Sequence, residues 1–404
     1  MKKLNILDYY RKIAEKSRSF RAGRLFGRLA DIILLIAAVT VLAVVVLNRV
    51  NKNPAKPKRN VITVSRQYEN FFGRDTASAL IQEFEDHFPD LRIQTAAVSE
   101  EAAGEADIIF FDDGEIDELT TASALAPLNP YIHSETQGGQ RASQWAIPLV
   151  SFMDLFFYNI DILEAAGRDR PPKTRADLLA AARAVAERKT AFPLALGLSQ
   201  ADPLSLRRGL YPWIWADGEI ASAAAHLSLT KTSVDVIDFF GQLNREDLLA
   251  PGTFEKTSAQ RLEEFSEGRI AMLAASSRDI AWLRINAPDL NFGVTAIPQA
   301  AQGRNRLGLS GIYAGISGGC ALPDEAWTFL AFIAGKSQTL AEALGAVPGG
   351  FNKAFPGDYA AKDPLYSKAW DIYEAADIVE YYPADPSEED LNRLLREKMY
   401  AAVD

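Results

Sequence analysis

An uninterrupted apolar run near the N-terminus constrains what this chain can fold into more than any other feature. Residues 32–47 read IILLIAAVTVLAVVVL, without a charge, a Pro or a Gly, and Leu29 and Ala30 extend the run across Asp31 to about 19 residues. A helix rises 1.5 Å per residue, so a helix of this length matches the hydrocarbon thickness of a bilayer. A buried core helix is the weaker interpretation, because nothing N-terminal to the run can cover it.

The flanks of this run distinguish a retained anchor from a cleaved signal peptide. The basic region before the run is about 28 residues long, and residues 48–52 (NRVNK) lack a small-x-small cleavage pattern. We therefore predict a transmembrane anchor over residues 29–48. Nine Lys and Arg precede it and five follow it closely. The positive-inside bias then places residues 1–28 in the cytoplasm of a bacterium and the rest of the chain in the periplasm or outside the cell.

The chain after the anchor is strongly acidic. Residues 49–60 carry Pro54, Pro57 and several basic residues, which is typical of a stiff, solvated stalk. The chain has 43 Lys and Arg, of which 14 lie in residues 1–60, and 53 Asp and Glu, of which 3 lie there. Residues 61–404 therefore carry 29 basic and 50 acidic side chains, a net charge of −21. Such a body repels polyphosphate, so nucleic acid is excluded as a partner.

Length and cysteine content narrow the class of protein further. A chain of 404 residues favours more than one folded unit. Because Cys320 is the single cysteine, the chain can form neither an internal disulfide nor a thiolate metal cluster. Its position also excludes lipid attachment to a cysteine near the N-terminus.

The pattern of apolar residues predicts alternating strands and helices. We expect a helix that opens at Asp75, a helix capped by Thr174 with Asp177 in a capping box, and a helix over 260–267 closed by Gly268. Strands are predicted at residues 61–64, 91–94, 106–111, 155–158, 269–273 and 307–317. The run at 106–111 is continuous, as in strands buried on both faces of a parallel sheet. This rhythm indicates an α/β fold.

The sequence shows no catalytic constellation. The histidines, His87, His133 and His226, are isolated from one another, and the motifs of a nucleophile elbow or a phosphate-binding loop are absent. We therefore predict that the chain is not an enzyme and uses no metal or cofactor. A hydrolase that uses Asp112 or Asp113 is the least favoured interpretation, because glycoside hydrolysis requires two carboxyl groups that flank one bond.

Acidic and aromatic residues suggest where a ligand binds. Asp112 and Asp113 follow the apolar run, and Glu69 follows the first strand, at positions where α/β sheets collect ligands. Capping of the next helix explains the two aspartates equally well. Aromatic residues recur where loops are expected, and their flat rings suit either the apolar faces of sugars or the protein core. These aromatic residues are Phe71, Phe72, Tyr211, Trp213, Trp215, Trp282, Tyr313 and Phe351.

Three blocks in order resemble one known family. The first is IP at residues 147–148 with FFYNIDILEAAG at 156–167, PPKT at 171–174 and DLLAAA at 177–182. The second is FSEGRIAML at 265–273 with PDLNFGV at 288–294, and the third runs from Gly311 through 325–334 to GAVP at 345–348. These blocks resemble the family 1 extracellular solute-binding proteins, the maltose-binding-protein-like receptors of ABC sugar importers.

The resemblance implies a two-lobed periplasmic-binding-protein fold of type II with a ligand cleft between the lobes. The crossings between lobes would lie near residues 150–151, 309–312 and 363–364. Lobe I would then comprise residues 61–150 and 309–362, and lobe II residues 151–308 and 363–404.

The resemblance also implies which residues line the cleft. These are Glu69, Phe71, Phe111, Asp112, Asp113, Tyr211, Trp213, Trp215 and Tyr313. Two positions depart from the family pattern. Phe152 stands where a polar residue often binds a sugar hydroxyl, with Asp154 as the nearest carboxylate. Arg278 precedes Asp279 where many members have a Trp, and it suits either an anionic ligand or an ion pair with Asp279.

The resemblance implies a receptor that captures a carbohydrate and delivers it to the transmembrane subunits of an ABC permease. The predicted membrane anchor is a further departure from the family and makes this a membrane-anchored receptor. The C-terminus departs from the family as well. After residues 381–383 the chain has one amphipathic helix, residues 388–399, whereas members of the family usually have a further helix there. This departure and Phe152 motivate the alternative, an anchored sensor or scaffold whose degenerate cleft binds a protein partner.

Overall fold

The computed structural model describes most of the chain after the predicted stalk. The described residues are 60–96, 106–112, 115, 119, 123–132, 144–202, 204–218, 229–300, 304–349, 362–381 and 388–403. The predicted cytoplasmic segment, anchor and stalk up to residue 59 lie outside them, as do His133, His226, Asp113 and Phe351. Within this part of the chain, no helix combines the length and the hydropathy that crossing a membrane requires.

Strands and helices alternate through the described chain. The strands are β1 Asn60–Val64, β2 Leu91–Thr95, β3 Ile108–Asp112, β4 Ile147–Asn159, β5 Phe192–Ala195, β6 Ile270–Ser276, β7 Phe292–Thr295, β8 Arg306–Ile316, β9 Val347–Pro348 and β10 Ile378–Tyr381. The helices are α1 Gln67–Phe72, α2 Arg74–His87, α3 Ile160–Ala165, α4 Arg175–Arg188, α5 Ser205–Gly209, α6 Tyr211–Asp217, α7 Lys231–Arg245, α8 Ser258–Ser266, α9 Arg278–Asn286, α10 Pro323–Gly335, α11 Ser337–Leu344, α12 Pro364–Glu374 and α13 Glu388–Val403. The predicted α/β class is confirmed.

The strands form a mixed sheet in the order β2-β1-β3-β8-β4-β6-β5. β1 runs parallel to β2 and β3, whereas β8 runs antiparallel to both β3 and β4. The apolar run at 106–111 is buried as expected over residues 108–111. Its strand nevertheless has one antiparallel neighbour, so a continuous apolar run does not by itself indicate a purely parallel environment.

Two long strands connect the two halves of this sheet. β4 pairs with β8 as far as Met153, and from Asp154 onward it pairs with β6. β8 pairs with β10 over residues 306–309 and with β3 over residues 312–316. We call the part around β1, β2 and β3 the first lobe and the part around β5, β6 and β7 the second lobe. β4 and β8 therefore pass from lobe to lobe near residues 152–154 and 310–311.

Each lobe has an apolar core of its own. In the first lobe, α2 and α10 pack Phe84 and Phe329 together at 4.9 Å between ring centroids. In the second lobe, the rings of Trp213 and Phe240 meet edge to face at 5.2 Å. The C-terminal helix α13 also packs into this core through Leu391, Leu395 and Met399, which recur every fourth residue on one helix face.

Helix boundaries follow local chemistry. The predicted capping box of α4 is present, because the Thr174 and Asp177 side chains bond to each other's backbone N–H groups. The hydrogen bonds from Thr174 hold the pKa of Asp177 below its usual value. α8 has a second capping box, between Thr257 and Gln260. Gly268, with φ of +71°, follows that helix in the left-handed region where glycine is favoured.

The expectation that the aromatic residues at 211–215 lie in a loop is wrong. These residues form α6, which has Pro212 in its first turn, where a fixed φ suits a helix start. Every residue from 211 to 216 is buried. Phe71 and Phe72 lie in α1, Trp282 in α9 and Tyr313 in β8. An aromatic-rich segment indicates burial, and its sequence does not distinguish a loop from a short helix.

Candidate functional site

A cavity of about 330 Å³ lies where β4 and β8 pass between the lobes. Its walls come from the end of β3, the middles of β4 and β8, the C-terminal end of β6, the helix α5 and the N-terminal parts of α8 and α9. The chain therefore brings segments far apart in sequence, from residue 112 to residue 312, around one space.

The crossing segment of β4 contributes Phe152 and Asp154. Residues two apart on a strand face the same side, and both of these side chains line the cavity. They are largely buried, with 3% and 8% of their surface exposed. Ser310 lies opposite Phe152 on β8, and Ser276 lies opposite Asp154 on β6. Asp112, half-buried at the end of β3, adds a second carboxylate to the lining.

The turn from β6 into α9 is tied to this crossing. The Ser277 hydroxyl accepts a hydrogen bond from the Met153 N–H at 3.0 Å, and the Ser277 N–H donates to the Met153 carbonyl at 2.8 Å. The Asp279 carboxylate accepts from the Ser276 N–H at 2.9 Å. Burial raises the pKa of Asp279, although this hydrogen bond and the nearby Arg208 and Arg278 act against the increase.

The two departures from the family pattern contact each other. The guanidinium carbon of Arg278 lies 5.4 Å from the centroid of the Phe152 ring, a cation–π distance. Among the described residues, no carboxylate oxygen lies within 4.0 Å of the Arg278 guanidinium. The alternative of a close Arg278–Asp279 ion pair is therefore not what the structure shows.

Two further arginines line the cavity from α5. Arg207 is 8% exposed, and its guanidinium lies 6.0 Å from the Tyr211 ring centroid. Arg208 is more exposed and reaches Asp202 at 3.6 Å. Sequence reasoning missed both. Two consecutive arginines in an otherwise acidic body were the available signal.

A buried ion-pair cluster holds α8 in place. Arg261, 2% exposed, donates to the Leu196 and Pro251 carbonyls at 2.9 and 2.8 Å and to Glu264 at 2.7 Å. Burial by itself raises the pKa of Glu264, but hydrogen bonds from Lys256 and Arg261 outweigh it and the net shift is downward. The cluster fixes the helix whose N-terminal part lines the cavity.

The cavity brings together three of the sequence-predicted site residues, Asp112, Asp154 and Arg278. Apart from Trp282, the other described candidates lie elsewhere. Glu69 accepts a hydrogen bond from the Thr95 hydroxyl at 3.0 Å. Phe71 packs against the core of the first lobe.

The remaining predicted aromatic residues are core residues. Phe111 and Tyr313 stack at 5.8 Å in a small apolar cluster. The Tyr211 hydroxyl donates to Asn392 at 2.8 Å. Trp213 has no exposed surface, and Trp215 lies beneath the Arg306 guanidinium at 4.1 Å. In this conformation, none of these rings lines the cavity, whereas Trp282 does.

The lining offers carboxylate acceptors, guanidinium donors and two aromatic rings, a combination suited to a small polar solute. The described residues include no group of three His, Cys, Asp or Glu placed to hold a metal ion.

Residues 80–369 match the model of a family described as bacterial extracellular solute-binding protein. No curated protein shows significant sequence similarity to the chain.

Solved structures of similar fold include sugar-binding proteins. The GacH receptor of Streptomyces glaucescens, solved alone and with acarbose, is 18% identical with a TM-score of 0.63, over 85% of this chain and 93% of that one. The sugar-binding protein MalE from the phytopathogen Xanthomonas citri is 16% identical with a TM-score of 0.63, over 85% and 94%. The cyclic alpha-maltosyl-1,6-maltose binding protein of Arthrobacter globiformis is 17% identical with a TM-score of 0.66, over 86% and 96%. These similarities establish a two-lobed fold of the periplasmic-binding-protein type.

Proposed function

The chain belongs to the bacterial extracellular solute-binding protein family, and from this premise we propose that it captures a carbohydrate in the cavity between its lobes and delivers it to the permease of an ABC importer. The observation that carries the proposal is the cavity itself, which is lined by segments of both lobes at the crossing strands. Binding there contacts both lobes at once, so a ligand favours the conformation in which they are closed.

The lining suits a small sugar. The carboxylates of Asp112 and Asp154 accept hydrogen bonds from hydroxyl groups, and Trp282 offers a flat ring for the apolar face of a pyranose. The volume of about 330 Å³ is at the lower end of the usual range for ligand pockets, which favours a short saccharide over a long one. Sugar-binding neighbours such as the GacH receptor support the same ligand class.

We further propose that residues 29–48 anchor the receptor as a single transmembrane helix. Residues 1–28 would then lie in the cytoplasm, and the body would lie outside the cytoplasmic membrane on its stalk. Tethering raises the effective concentration of the receptor near its permease without changing the binding site.

The test is thermal unfolding of the full chain, purified in mild detergent, against a panel of mono- and oligosaccharides, acidic sugars, polyols and amino acids. A ligand at a hundredfold excess over Kd stabilises the folded state by about 2.7 kcal/mol. For a domain of this size, that gives a shift of a few degrees. If no sugar shifts the transition, the proposal is wrong and the protein-binding scaffold becomes the better explanation.

A pair of variants locates the binding site. Asp154→Asn should weaken binding of any sugar that shifts the transition, because it removes a buried charged acceptor. Asp235→Asn, at an exposed position on α7, removes the same charge away from the cavity and should leave binding unchanged. Equal effects of the two variants would contradict the placement of the site.

A further inference from the structure

We infer that the carbohydrate bound in the cavity carries a carboxylate, and that Arg278 binds this carboxylate while Asp112 and Asp154 bind hydroxyl groups. The inference rests on the proposed function and adds the charge class of the ligand. Its starting point is the Arg278 guanidinium, which lines the cavity and is exposed.

Arg278 is available to a ligand. Among the residues that the structure describes, it makes no ion pair within 4.0 Å, whereas the nearby Arg208 reaches Asp202 at 3.6 Å. The Asp279 carboxylate, which follows Arg278, is engaged by the Ser276 N–H at 2.9 Å. A guanidinium with no carboxylate of the described chain within ion-pair distance can bind an incoming carboxylate through two parallel N–H···O bonds.

Phe152 orients the Arg278 guanidinium. The ring is fixed in β4 with 3% of its surface exposed, and the guanidinium carbon lies 5.4 Å from its centroid. A guanidinium held over a ring by a cation–π contact keeps its N–H groups available for hydrogen bonds. Because the side chain is already held, less conformational entropy is lost when a ligand binds.

The same contact removes Phe152 as a stacking surface for a sugar, because the cation lies over its ring. A pyranose can then stack on Trp282, while an acid group on the sugar would bind the Arg278 guanidinium where it already lies.

The cavity lining carries charges of both signs. Arg207 and Arg208 line it together with Arg278, and the N-termini of α8 and α9 add partial positive charge. Against them stand the lining carboxylates of Asp112, Asp154, Glu263 and Asp279. A single carboxylate on the ligand is matched by the Arg278 guanidinium, whereas a phosphate dianion requires a second positive charge, and Arg208 already pairs with Asp202 at 3.6 Å.

The test uses pairs of ligands that differ only in the acid group. Titration calorimetry on the full chain in mild detergent compares glucuronate with glucose and galacturonate with galactose, with glucose 6-phosphate as the dianionic probe. We expect at least one uronate to bind about tenfold or more tightly than its neutral partner. A higher salt concentration should weaken binding of the uronate and leave binding of the neutral sugar unchanged.

Variants assign the effect to Arg278. Arg278→Gln should lower the affinity for the uronate by about tenfold and change the affinity for the neutral sugar by no more than about twofold. Arg278→Lys should retain part of the affinity for the uronate. Arg188→Gln, at an exposed position at the end of α4, removes the same charge and serves as the control. Circular dichroism confirms that each variant is folded.

The outcomes separate this inference from the proposed function. If neutral sugars bind as tightly as uronates, the carboxylate inference is wrong and the sugar receptor stands. If Arg278→Gln leaves uronate binding unchanged, the assignment of Arg278 as the carboxylate-binding residue is wrong. Tighter binding of glucose 6-phosphate overturns the charge class, and failure of every sugar, acidic or neutral, overturns the proposed function itself.

Discussion

The interior of the second lobe and its cavity wall use charged side chains in opposite ways. In the interior, Arg261 is 2% exposed, and its donors are taken by backbone carbonyls and Glu264. On the cavity wall, Arg278 is exposed, lies over Phe152 and makes no close ion pair among the described residues. Both arginines belong to helices that line the cavity with their N-terminal parts.

The difference shows which charges serve the fold and which are available to a ligand. A buried guanidinium is tolerated because its hydrogen bonds replace those with water, and losing them is costly. An exposed guanidinium held by a ring contributes little to folding and retains its capacity to bind. Four predictions test how the interior and the cavity wall differ, beginning with the largest expected effect.

Replacement of Trp213 by Ala should cost about 3–5 kcal/mol of stability, the usual range for removing a large aromatic side chain from a core. Trp213 has no exposed surface and packs against Phe156 and Phe240. Urea unfolding followed by circular dichroism measures the loss. Trp213→Phe is the milder control, and it should leave sugar affinity unchanged. If Trp213→Ala lowered sugar affinity without lowering stability, Trp213 would be a ligand-binding residue and not a core residue.

Arg261→Leu should destabilise the chain by about 3 kcal/mol, the lower end of the range for breaking a buried ion pair, because Glu264 keeps Lys256 and Arg269. The matched variant is Arg269→Leu, since Arg269 bonds the same carboxylate from an exposed position. Its cost should be about 1 kcal/mol or less. Equal costs for the two variants would remove the distinction between interior and surface charges.

Asp279 provides a prediction about pH. Burial raises its pKa in the folded chain above the ordinary value of 3.8. The folded state therefore holds the proton more tightly, and this contribution to stability is present below the ordinary pKa and lost as pH rises through the folded pKa. Asp279→Asn, which does not ionise, should gain stability relative to wild type in the pH window that opens at about 4, near the ordinary pKa, and closes above the folded pKa.

Urea midpoints of wild type and Asp279→Asn at three pH values in that window provide the measurement. Asp289→Asn, at an exposed position after α9, controls for the loss of one carboxylate. A difference between Asp279→Asn and wild type that stays constant with pH would contradict the role of burial.

Arg278→Gln should change stability least, by about 0.5 kcal/mol or less, as is usual for exposed positions. Its cation–π contact with Phe152 is the interaction at stake. Thermal unfolding without ligand checks this. A loss as large as that of Arg261→Leu would mean that Arg278 is a structural residue and would break the comparison.

Local patterns predicted much of the fold. The capping box of α4 joins residues three apart, and the strand at 108–111 is one apolar run, so both are visible within a short stretch of sequence. The family blocks were recognisable for the same reason. The lobe boundaries drawn from the resemblance stay a prediction.

The site was predictable only in part. Asp112, Asp154 and Arg278 were predicted and do line the cavity. Arg207 and Arg208 were missed, and Trp213 was placed at the site although it is buried in the core. An aromatic ring can pack in a core or contact a ligand, and a guanidinium can form an internal ion pair or bind a ligand. The residue type alone does not determine which role the side chain has.

The sequence by itself determined the acidic charge of the body, the alternation of strands and helices, and the family, because these depend on composition and on residues close together in the chain. Tertiary structure alone decided that Arg278 lies over Phe152. That contact requires β4 to pair with β6 so that Asp154 lies opposite Ser276, and the turn into α9 to be tied to Met153. Pairing of strands more than 100 residues apart is set by the packing of the whole chain, which no local pattern encodes.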